Sequence, residues 1–415
     1  MSVNRIFLAI VFLLLMAFTC LTFVGSGAFG SDELWGIGRV KGVLEIVLVA
    51  FLLFNVTQFH KPSAITIIVL LWIPWVLPSV FYRNNELTNL MLGVLDVFLW
   101  ALVYLFFYAY ARGDSQSLRP IVIFFLGLSM TCSILFFLTY RSFNVQRIGQ
   151  ELQMNTSYYP LLTFPWLALV KKPLWRYLAM ALIAFAVFYS LKRTSLAGLA
   201  VAAITYVAVE YVFVTRRIPI VRLTVPAVLL CLAIVVYYHI DESRGGAFAK
   251  RIESIATDEG SGRLKIYADV LDEMAKSSSG DVILGHGHFS SVDYFVTSTH
   301  NDFLEVLFDY GVVGLTLYIL LHLCLIRDAF RLIRIRSPWA SAFATSYVLF
   351  FVMSMISHLI VYPSFFVYLT ALWGTAEGSM RSRQCATRTR LPPLPYVRHE
   401  DALGSTHMPL RGRGI

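Results

Sequence analysis

The chain has 415 residues, of which 58% are hydrophobic and 14% are charged, and its formal net charge is +9. Soluble proteins carry roughly 25% charged residues, so the composition excludes an ordinary soluble protein and predicts one that crosses a membrane several times. The excess of positive charge falls at helix ends and in the carboxyl-terminal tail, where basic side chains bind anionic lipid. It therefore indicates contact with membrane lipid and gives no indication of nucleic acid.

Twelve apolar segments approach the ~20 residues that a helix needs to cross a bilayer, and helices satisfy the backbone inside lipid. The predicted fold is therefore an all-α polytopic membrane protein with about twelve transmembrane helices. Residues 1–239 hold helices 1–9, 240–300 a helical periplasmic loop, 301–380 helices 10–12, and 381–415 a disordered basic cytoplasmic tail. The segments are about 6–24, 42–59, 63–81, 88–110, 120–139, 158–170, 174–191, 195–214, 219–239, 301–326, 340–360 and 362–379.

The orientation follows from the Lys and Arg residues, most of which lie in the cytoplasmic segments if the amino terminus is inside. The weakest span is 158–170, which is short and contains Pro160 and Pro165. Without it every later helix would reverse, and the arginine clusters at 216–222 and 327–336 would face outward, against the charge rule. Twelve spans therefore place both termini in the cytoplasm and the 240–300 loop on the outer side. No pair of cysteines faces outward, so no disulfide is expected.

The long outer loop contains two segments with helical spacing of apolar residues. Phe248, Ile252 and Ile255 form the first, and a second begins after Ser261 with Leu264, Tyr267, Leu271 and Met274 at intervals of three or four. The spacing predicts a small helical hairpin on the membrane face, with Ser261 capping its second helix.

The segment 285–320 passes from a loop rich in glycine and histidine into a long apolar helix, and His300 lies at the transition. Its spacing, His300-Asn301, nine residues, then Gly311-Val312-Val313-Gly314, resembles the H-[NSQ]-x9-G-x-x-G signature of the O-antigen ligases. These membrane glycosyltransferases share a domain with O-antigen polymerases. The resemblance implies that His300 is the catalytic residue.

Two further outer features fit the same pattern. Lys192 and Arg193 lie in the turn between two central spans, and Arg263 stands in a Gly-Ser-Gly-Arg-Leu sequence ahead of the loop. Arginine matches two phosphate oxygens at once, and a helix start adds amide donors. The three cationic side chains with His300 therefore predict a diphosphate site beside a base. Arg193 and Arg263 resemble the two outward-facing arginines of the family, over about residues 190–330.

Each of these residues also has a purely structural interpretation. Arg193 could extend to lipid headgroups, Arg263 could pair with Asp258 or Glu259, and His300 could belong to a helix cap formed by Asn301. Gly311 and Gly314 are expected to allow close helix packing.

Two acidic residues and two further histidines lie close to this segment. Glu305 and Asp309 could orient the imidazole of His300 or pair with basic residues on neighbouring helices. His286 and His288 could bind a metal, but no further ligand completes such a site, and a tight glycine turn explains the sequence equally well. No metal or other cofactor is expected.

The expected function is that of an O-antigen ligase of the bacterial inner membrane. It transfers a glycan from undecaprenyl diphosphate to a lipid A-core sugar at the periplasmic face, with inversion and without a metal. Arg193, Arg263 and Lys192 would bind the donor, with Asn301 and Glu305 as further substrate contacts, and His300 would act as general base.

Two alternatives remain open. A polymerase of O-antigen or exopolysaccharide would use the same chemistry with a lipid-linked glycan as acceptor, but such proteins often have two large outer loops. A lipid or glycan transporter would place ionisable groups near the middle of the membrane. Its candidate residues form no obvious cluster at one depth in the sequence: Glu45, Asp96, Glu210, His322 and His358.

Overall fold

The structure is a computed structural model that describes residues 3–27, 31–55, 62–83, 87–113, 118–143, 155–190, 192–216, 263–295, 298–360 and 362–389, with isolated residues between 235 and 246. All regular elements within these ranges are helical. The helices are α1 (Val3–Gly27), α2 (Ser31–Asn55), α3 (Ala64–Arg83), α4 (Leu87–Gly113), α5 (Arg119–Phe143), α6 (Tyr158–Thr163), α7 (Pro173–Tyr189), α8 (Arg193–Val207), α9 (Arg263–Lys276), α10 (Ser279–Leu284), α11 (Ser290–Phe295), α12 (Asp302–Arg334), α13 (Ala340–Ile356) and α14 (Pro363–Thr389).

Six of the described helices are long and apolar enough to cross a membrane, namely α1, α3, α4, α5, α12 and α8 with its π-helical continuation Ala208–Val214. The shorter helices α7 and α13 are also apolar. Large apolar side chains such as Leu13 and Ile204 are 71% and 68% exposed, as the lipid-facing side of a membrane helix requires. The all-helical prediction is thus confirmed for the described residues, and six of their helices are candidate membrane spans.

Several predicted segments lie outside the described residues. These are most of the span at 219–239, the first helix of the outer hairpin with the proposed Ser261 cap, and the tail from 390 onward. The second hairpin helix is present as α9. Helix α14 continues to Thr389, beyond the expected end of the last span at 379.

The segment predicted as the sixth span forms no single long helix. Short 3-10 turns at Asn155–Ser157 and Phe164–Leu169 flank the six residues of α6. Pro165 lies at the start of the second 3-10 turn, where its ring and missing N–H would interrupt an α-helix. Residues 156–167 are buried in the described structure, so this segment forms part of the protein core.

The closest packing of two long helices joins α4 to α14. A Cβ at Gly374 would lie 2.3 Å from the carbonyl oxygen of Tyr104, and one at Gly378 would lie 2.3 Å from that of Tyr108. Glycines four residues apart therefore let the two backbones meet, as in many membrane helix pairs. The Tyr104 hydroxyl donates to the Glu377 carboxylate, which satisfies a buried acid at this interface.

Helix α12 bends sharply at Gly311, where the sequence predicted one long helix. The hydroxyl of Tyr318 is 3.0 Å from a carboxylate oxygen of Asp302, although sixteen residues of straight helix would separate their Cα atoms by ~24 Å. Gly311 has φ 68° and ψ −171°, a conformation that glycine adopts readily. The helix therefore consists of an arm at 302–310 that folds back against the apolar helix 312–334.

Candidate active site

The first part of the site is the capped start of the 302–310 arm. The side-chain oxygen of Asn301 accepts from the backbone N–H groups of Phe303 and Leu304, at 3.0 and 3.2 Å. Its amide nitrogen donates to the carbonyl oxygen of Met355 at 3.3 Å. Asn301 therefore caps the helix that follows it, as the structural interpretation of this motif predicted. Its hydrogen bonds within the protein fix the backbone next to His300.

His300 is held in an unusual conformation beside a second histidine. Its φ is 55°, in the left-handed region that non-glycine residues seldom occupy and that is often found at functional sites. Its ring stacks on that of His358, with centroids 4.9 Å apart. His358 is fixed from its other side by Ser298, whose hydroxyl oxygen is 2.7 Å from Nδ1. The site therefore contains an imidazole pair.

Two cationic groups act on this imidazole pair. Arg263, the first residue of α9, donates to the carbonyl oxygen of Ile356 at 2.8 Å. Lys192, which precedes α8, is 7% exposed, and its Nζ lies 4.2 Å from the centroid of the Tyr158 ring. In the described part of the chain no carboxylate forms an ion pair with Arg263. The predicted pairing with Asp258 or Glu259 lies outside the described residues.

The electrostatics of the site keep both histidines neutral. Burial, reinforced by the positive charges of Arg263 and Lys192, lowers the pKa of His300 to about 4. Burial lowers the pKa of His358 well below its ordinary value, with further contributions from His300, Lys192 and Arg263. Desolvation and nearby cations both disfavour an imidazolium. At neutral pH His300 therefore has a free nitrogen lone pair.

Arg193 lies directly after the turn that joins α7 to α8. It is the half-buried first residue of α8, next to Lys192. The charges that lower the pKa of His300 are those of Arg263 and Lys192. The structure therefore assigns Lys192 a larger role at the imidazole pair than the sequence suggested.

Buried hydroxyl groups join the elements around the imidazole pair. The hydroxyl of Tyr158 lies 2.6 Å from that of Thr194 and 2.9 Å from that of Ser357. The hydroxyls of Ser157 and Ser195 are 2.7 Å apart. The buried segment around α6 thus connects the start of α8 to the turn that carries His358. Sequence reasoning missed Tyr158 and Ser357, and it considered His358 only for transport.

Glu305 and Asp309 hold the glycine-rich loop in place through hydrogen bonds. Asp309 accepts from the backbone N–H groups of Phe289 and Ser291 and from the Ser290 hydroxyl, at 2.8 to 3.1 Å. Glu305 is fully buried and accepts from the hydroxyls of Ser291 and Thr299 at 3.4 and 3.3 Å. In the described residues these hydrogen bonds go to residues 289–291 and 299, and none of them goes to the imidazole of His300 or to a basic side chain. The two acids therefore stabilise the site indirectly, because they hold the loop against the 302–310 arm.

The motif glycines permit a close backbone contact, as predicted. A Cβ at Gly311 would lie 2.2 Å from the carbonyl oxygen of Ile283, and one at Gly285 would lie 2.3 Å from that of Asp309. A Cβ at Gly314 would lie 2.4 Å from the Cβ of Tyr310 on the folded-back arm. Gly285 and Gly287 have φ of 83° and 108°, so the loop needs glycine for its turn.

The other two histidines of the loop bind within the protein. His286 lies 3.2 Å from the carbonyl oxygen of Phe308 through Nδ1 and 3.0 Å from the Ser277 hydroxyl through Nε2. The Nδ1 of His288 is 2.6 Å from the Tyr310 hydroxyl. Among the described residues no three potential ligands converge on a metal position.

Of the ionisable residues considered for transport, Glu45 and Asp96 lie close enough to interact electrostatically. Asp96 lies 4.0 Å from the Nε2 of His288, and Glu210 accepts from the Ser341 hydroxyl. His322 stacks on Phe350 with ring centroids 4.6 Å apart. His358 belongs to the imidazole pair.

A comparison with protein-family models finds a match over the part of the chain that contains most of these residues. Residues 178–319 match the sequence model of the O-antigen ligase family. The match includes Lys192, Arg193, Arg263, His300 and the Gly311 bend, whereas His358 lies outside it. No curated protein matches the chain. Residues 178–319 therefore form a domain that is similar to the O-antigen ligase family.

Proposed function

We propose that this protein is an O-antigen ligase that transfers a glycan from undecaprenyl diphosphate to a sugar of lipid A-core. The reaction takes place at the periplasmic face of the bacterial inner membrane. The observation that carries the proposal is the neutral His300–His358 pair in the field of Lys192 and Arg263. A base beside clustered cations is the arrangement that a diphosphate leaving group and a hydroxyl nucleophile require.

The cations bind the donor diphosphate. Arg263 uses one terminal nitrogen for the Ile356 carbonyl and has further N–H groups that can bind phosphate oxygens. Lys192 and Arg193 at the start of α8 add two positive charges and the amide donors of a helix start. These groups offset the charge that develops on the diphosphate as it leaves, so the reaction needs no divalent cation.

His300 removes the proton of the acceptor hydroxyl. The acceptor oxygen forms a bond to the anomeric carbon while the bond from that carbon to the phosphate oxygen breaks, and the electron pair leaves with the diphosphate. The hydroxyl proton passes to the free nitrogen of His300. Because nucleophile and leaving group occupy opposite faces of the carbon, the product has the inverted configuration.

Donor binding also prepares the base. In the free protein, Lys192 and Arg263 help to lower the pKa of His300. A bound diphosphate compensates these charges and raises the pKa of His300, since opposite charge favours the imidazolium. The imidazole thus becomes a stronger base only when a donor is in place.

A polymerase would use the same donor site, and the sequence favours a ligase because it has one large outer loop. The acceptor decides between them in a transfer assay. Purified protein is given undecaprenyl-diphosphate glycan with either lipid A-core or a second lipid-linked glycan. We expect product with lipid A-core, and product with the lipid-linked glycan alone would identify a polymerase. A transporter would form no new glycosidic bond with either acceptor.

The same assay tests the base. We expect His300→Ala to reduce the transfer rate by a factor of about 100 or more, the usual contribution of a general base. His239→Ala is the matched control, because this histidine is 89% exposed and pairs only loosely with Glu242 at 3.9 Å. Equal rates for the two variants would remove His300 from its role. Unchanged transfer in EDTA would support a reaction without a metal.

A further inference from the structure

A groove outside the imidazole site has the side chains of a carbohydrate-binding surface. Its volume is about 490 Å³, within the range of small-molecule sites. It lies between the end of α3, the α9–α10 turn and α11. Its walls carry two tyrosines, two carboxylates, a lysine and a serine: Tyr82, Tyr294, Glu273, Asp281, Lys276 and Ser278.

The aromatic rings of the groove are accessible. Tyr82 is 73% exposed and Tyr294 is 48% exposed. The Tyr294 ring packs edge-on against Phe308 at a centroid distance of 5.3 Å, so it is held in place while much of its surface remains open. A sugar ring presents C–H groups that pack against the face of an aromatic ring, which is apolar and electron-rich.

The groove also offers free acceptors. The carboxylate of Glu273 receives no hydrogen bond from the described residues, and one oxygen of Asp281 accepts from the Ser278 hydroxyl at 2.7 Å. Lys276 is engaged in an ion pair with Asp272 at 2.5 Å. Ionised carboxylates only accept hydrogen bonds. They therefore select a ligand rich in hydroxyl donors and disfavour an anion such as phosphate.

The floor of the groove is rigid and connected to the active site. His286 stacks on Phe308 with ring centroids 4.2 Å apart, and Phe308 is buried with Val270 and Met274 of α9. Phe308 lies six residues after Asp302, a distance of ~9 Å along the 302–310 arm. His300 precedes one end of this arm, and the groove lies at the other.

We infer that this groove binds an oligosaccharide segment of a substrate, beyond the sugar that reacts at His300. This inference rests on the proposed glycosyl transfer, and it adds a subsite for neutral, hydroxylated sugar. The tyrosines pack against sugar rings, while Glu273 and Asp281 accept from their hydroxyls. A chain that extends from the membrane site along the 302–310 arm reaches the groove.

The test uses the full-length protein in a detergent without a sugar headgroup, because maltoside detergents would compete. The binding probes are core oligosaccharide released from lipopolysaccharide by mild acid, and glycan released from the donor diphosphate. The test variants are Glu273→Gln and Tyr82→Ala. Their matched controls are Asp269→Asn, one turn earlier on α9, and Tyr238→Ala, whose side chain is 72% exposed.

We expect Glu273→Gln to weaken binding of one probe by roughly tenfold and Tyr82→Ala by roughly fivefold, with the controls unchanged. In the transfer assay the KM for the corresponding substrate rises by the same factor while kcat stays within about twofold, because the reacting groups are untouched. Weakened core binding assigns the groove to the acceptor, and weakened donor-glycan binding assigns it to the donor.

Unchanged binding of both probes in both groove variants would overturn the inference, whatever the transfer assay shows. If the wild type binds a probe through the groove but forms no glycosidic bond with either acceptor, the proposed transfer fails and the groove stands. Thermal unfolding at the wild-type temperature confirms that each variant is folded.

Discussion

Replacement of Gly311 by alanine should damage both the stability and the activity of the protein. The φ of 68° and ψ of −171° at Gly311 lie in a region that is essentially restricted to glycine and that costs an L-residue about 1–3 kcal/mol. The new Cβ would also lie 2.2 Å from the Ile283 carbonyl oxygen and 2.7 Å from the Gly285 backbone nitrogen. Because both atoms belong to backbone, the glycine-rich loop must move, at a further cost of about 1–3 kcal/mol. We therefore expect a loss of about 2–6 kcal/mol.

The measurement is thermal unfolding of the purified protein in detergent, combined with the transfer assay. Gly127→Ala is the matched control, because this glycine lies inside helix α5 and a Cβ there would meet nothing within 4 Å. Alanine in a helix interior is favoured over glycine by roughly 0.5–1 kcal/mol. Wild-type unfolding temperature and activity in Gly311→Ala would refute the bend as a requirement of the fold and site.

Two further predictions concern the pH dependence of the site and the support of the loop. Since the pKa of His300 is lowered to about 4, kcat/KM should fall only as the pH drops through that region. Arg263→Gln should move this acid limb to higher pH, because loss of a nearby cation stabilises the imidazolium. Lys265→Gln, at an exposed position of α9, should leave the limb unchanged, and identical profiles for all three proteins would contradict the assignment. Asp309→Ala removes the acceptor of three hydrogen bonds, which come from the backbone N–H groups of Phe289 and Ser291 and from the Ser290 hydroxyl. We expect this variant to lower the free energy of unfolding by about 3 kcal/mol or more. An unfolding temperature equal to that of the wild type would show that Asp309 does not hold the loop.

The sequence predicted the helical membrane class because this class depends on local signals, and the candidate site residues were chosen from a spacing that is also local. Composition and apolar runs indicate helices in lipid without reference to tertiary contacts. The spacing of His300, Asn301, Gly311 and Gly314 is equally local. The structure explains it, because a cap at Asn301 and a bend at Gly311 define the two ends of a short helical arm.

The bend itself could not be predicted, since apolar residues continue through Gly311 and their periodicity resembles that of one long helix. A glycine within a helical pattern does not reveal its φ. The position of Gly311 against the loop depends on Gly285, which is distant in sequence. Only the folded chain shows that two glycine segments meet at their backbones.

The partners of His300 were also beyond sequence reasoning. His358 follows a different helix, and its stacking on His300 depends on how α13 packs beside α12. Lys192 and Arg193 are adjacent, so the choice between them depends on the exact start of α8, a boundary that residue patterns locate poorly. Tyr158 was assigned to a membrane span, whereas its hydroxyl joins two elements of the site.

The short helical arm between Asn301 and Gly311 makes the number of residues there as important as their identity. One inserted residue would rotate everything after it by about 100° and move it by ~1.5 Å along the axis. If Asn301 then kept its hydrogen bonds to Phe303 and Leu304, Gly311 would be displaced from the glycine-rich loop. If Gly311 instead stayed against the loop, Asn301 would lose these hydrogen bonds. An insertion or deletion within the arm would therefore disrupt the site even if it left every named residue in the sequence.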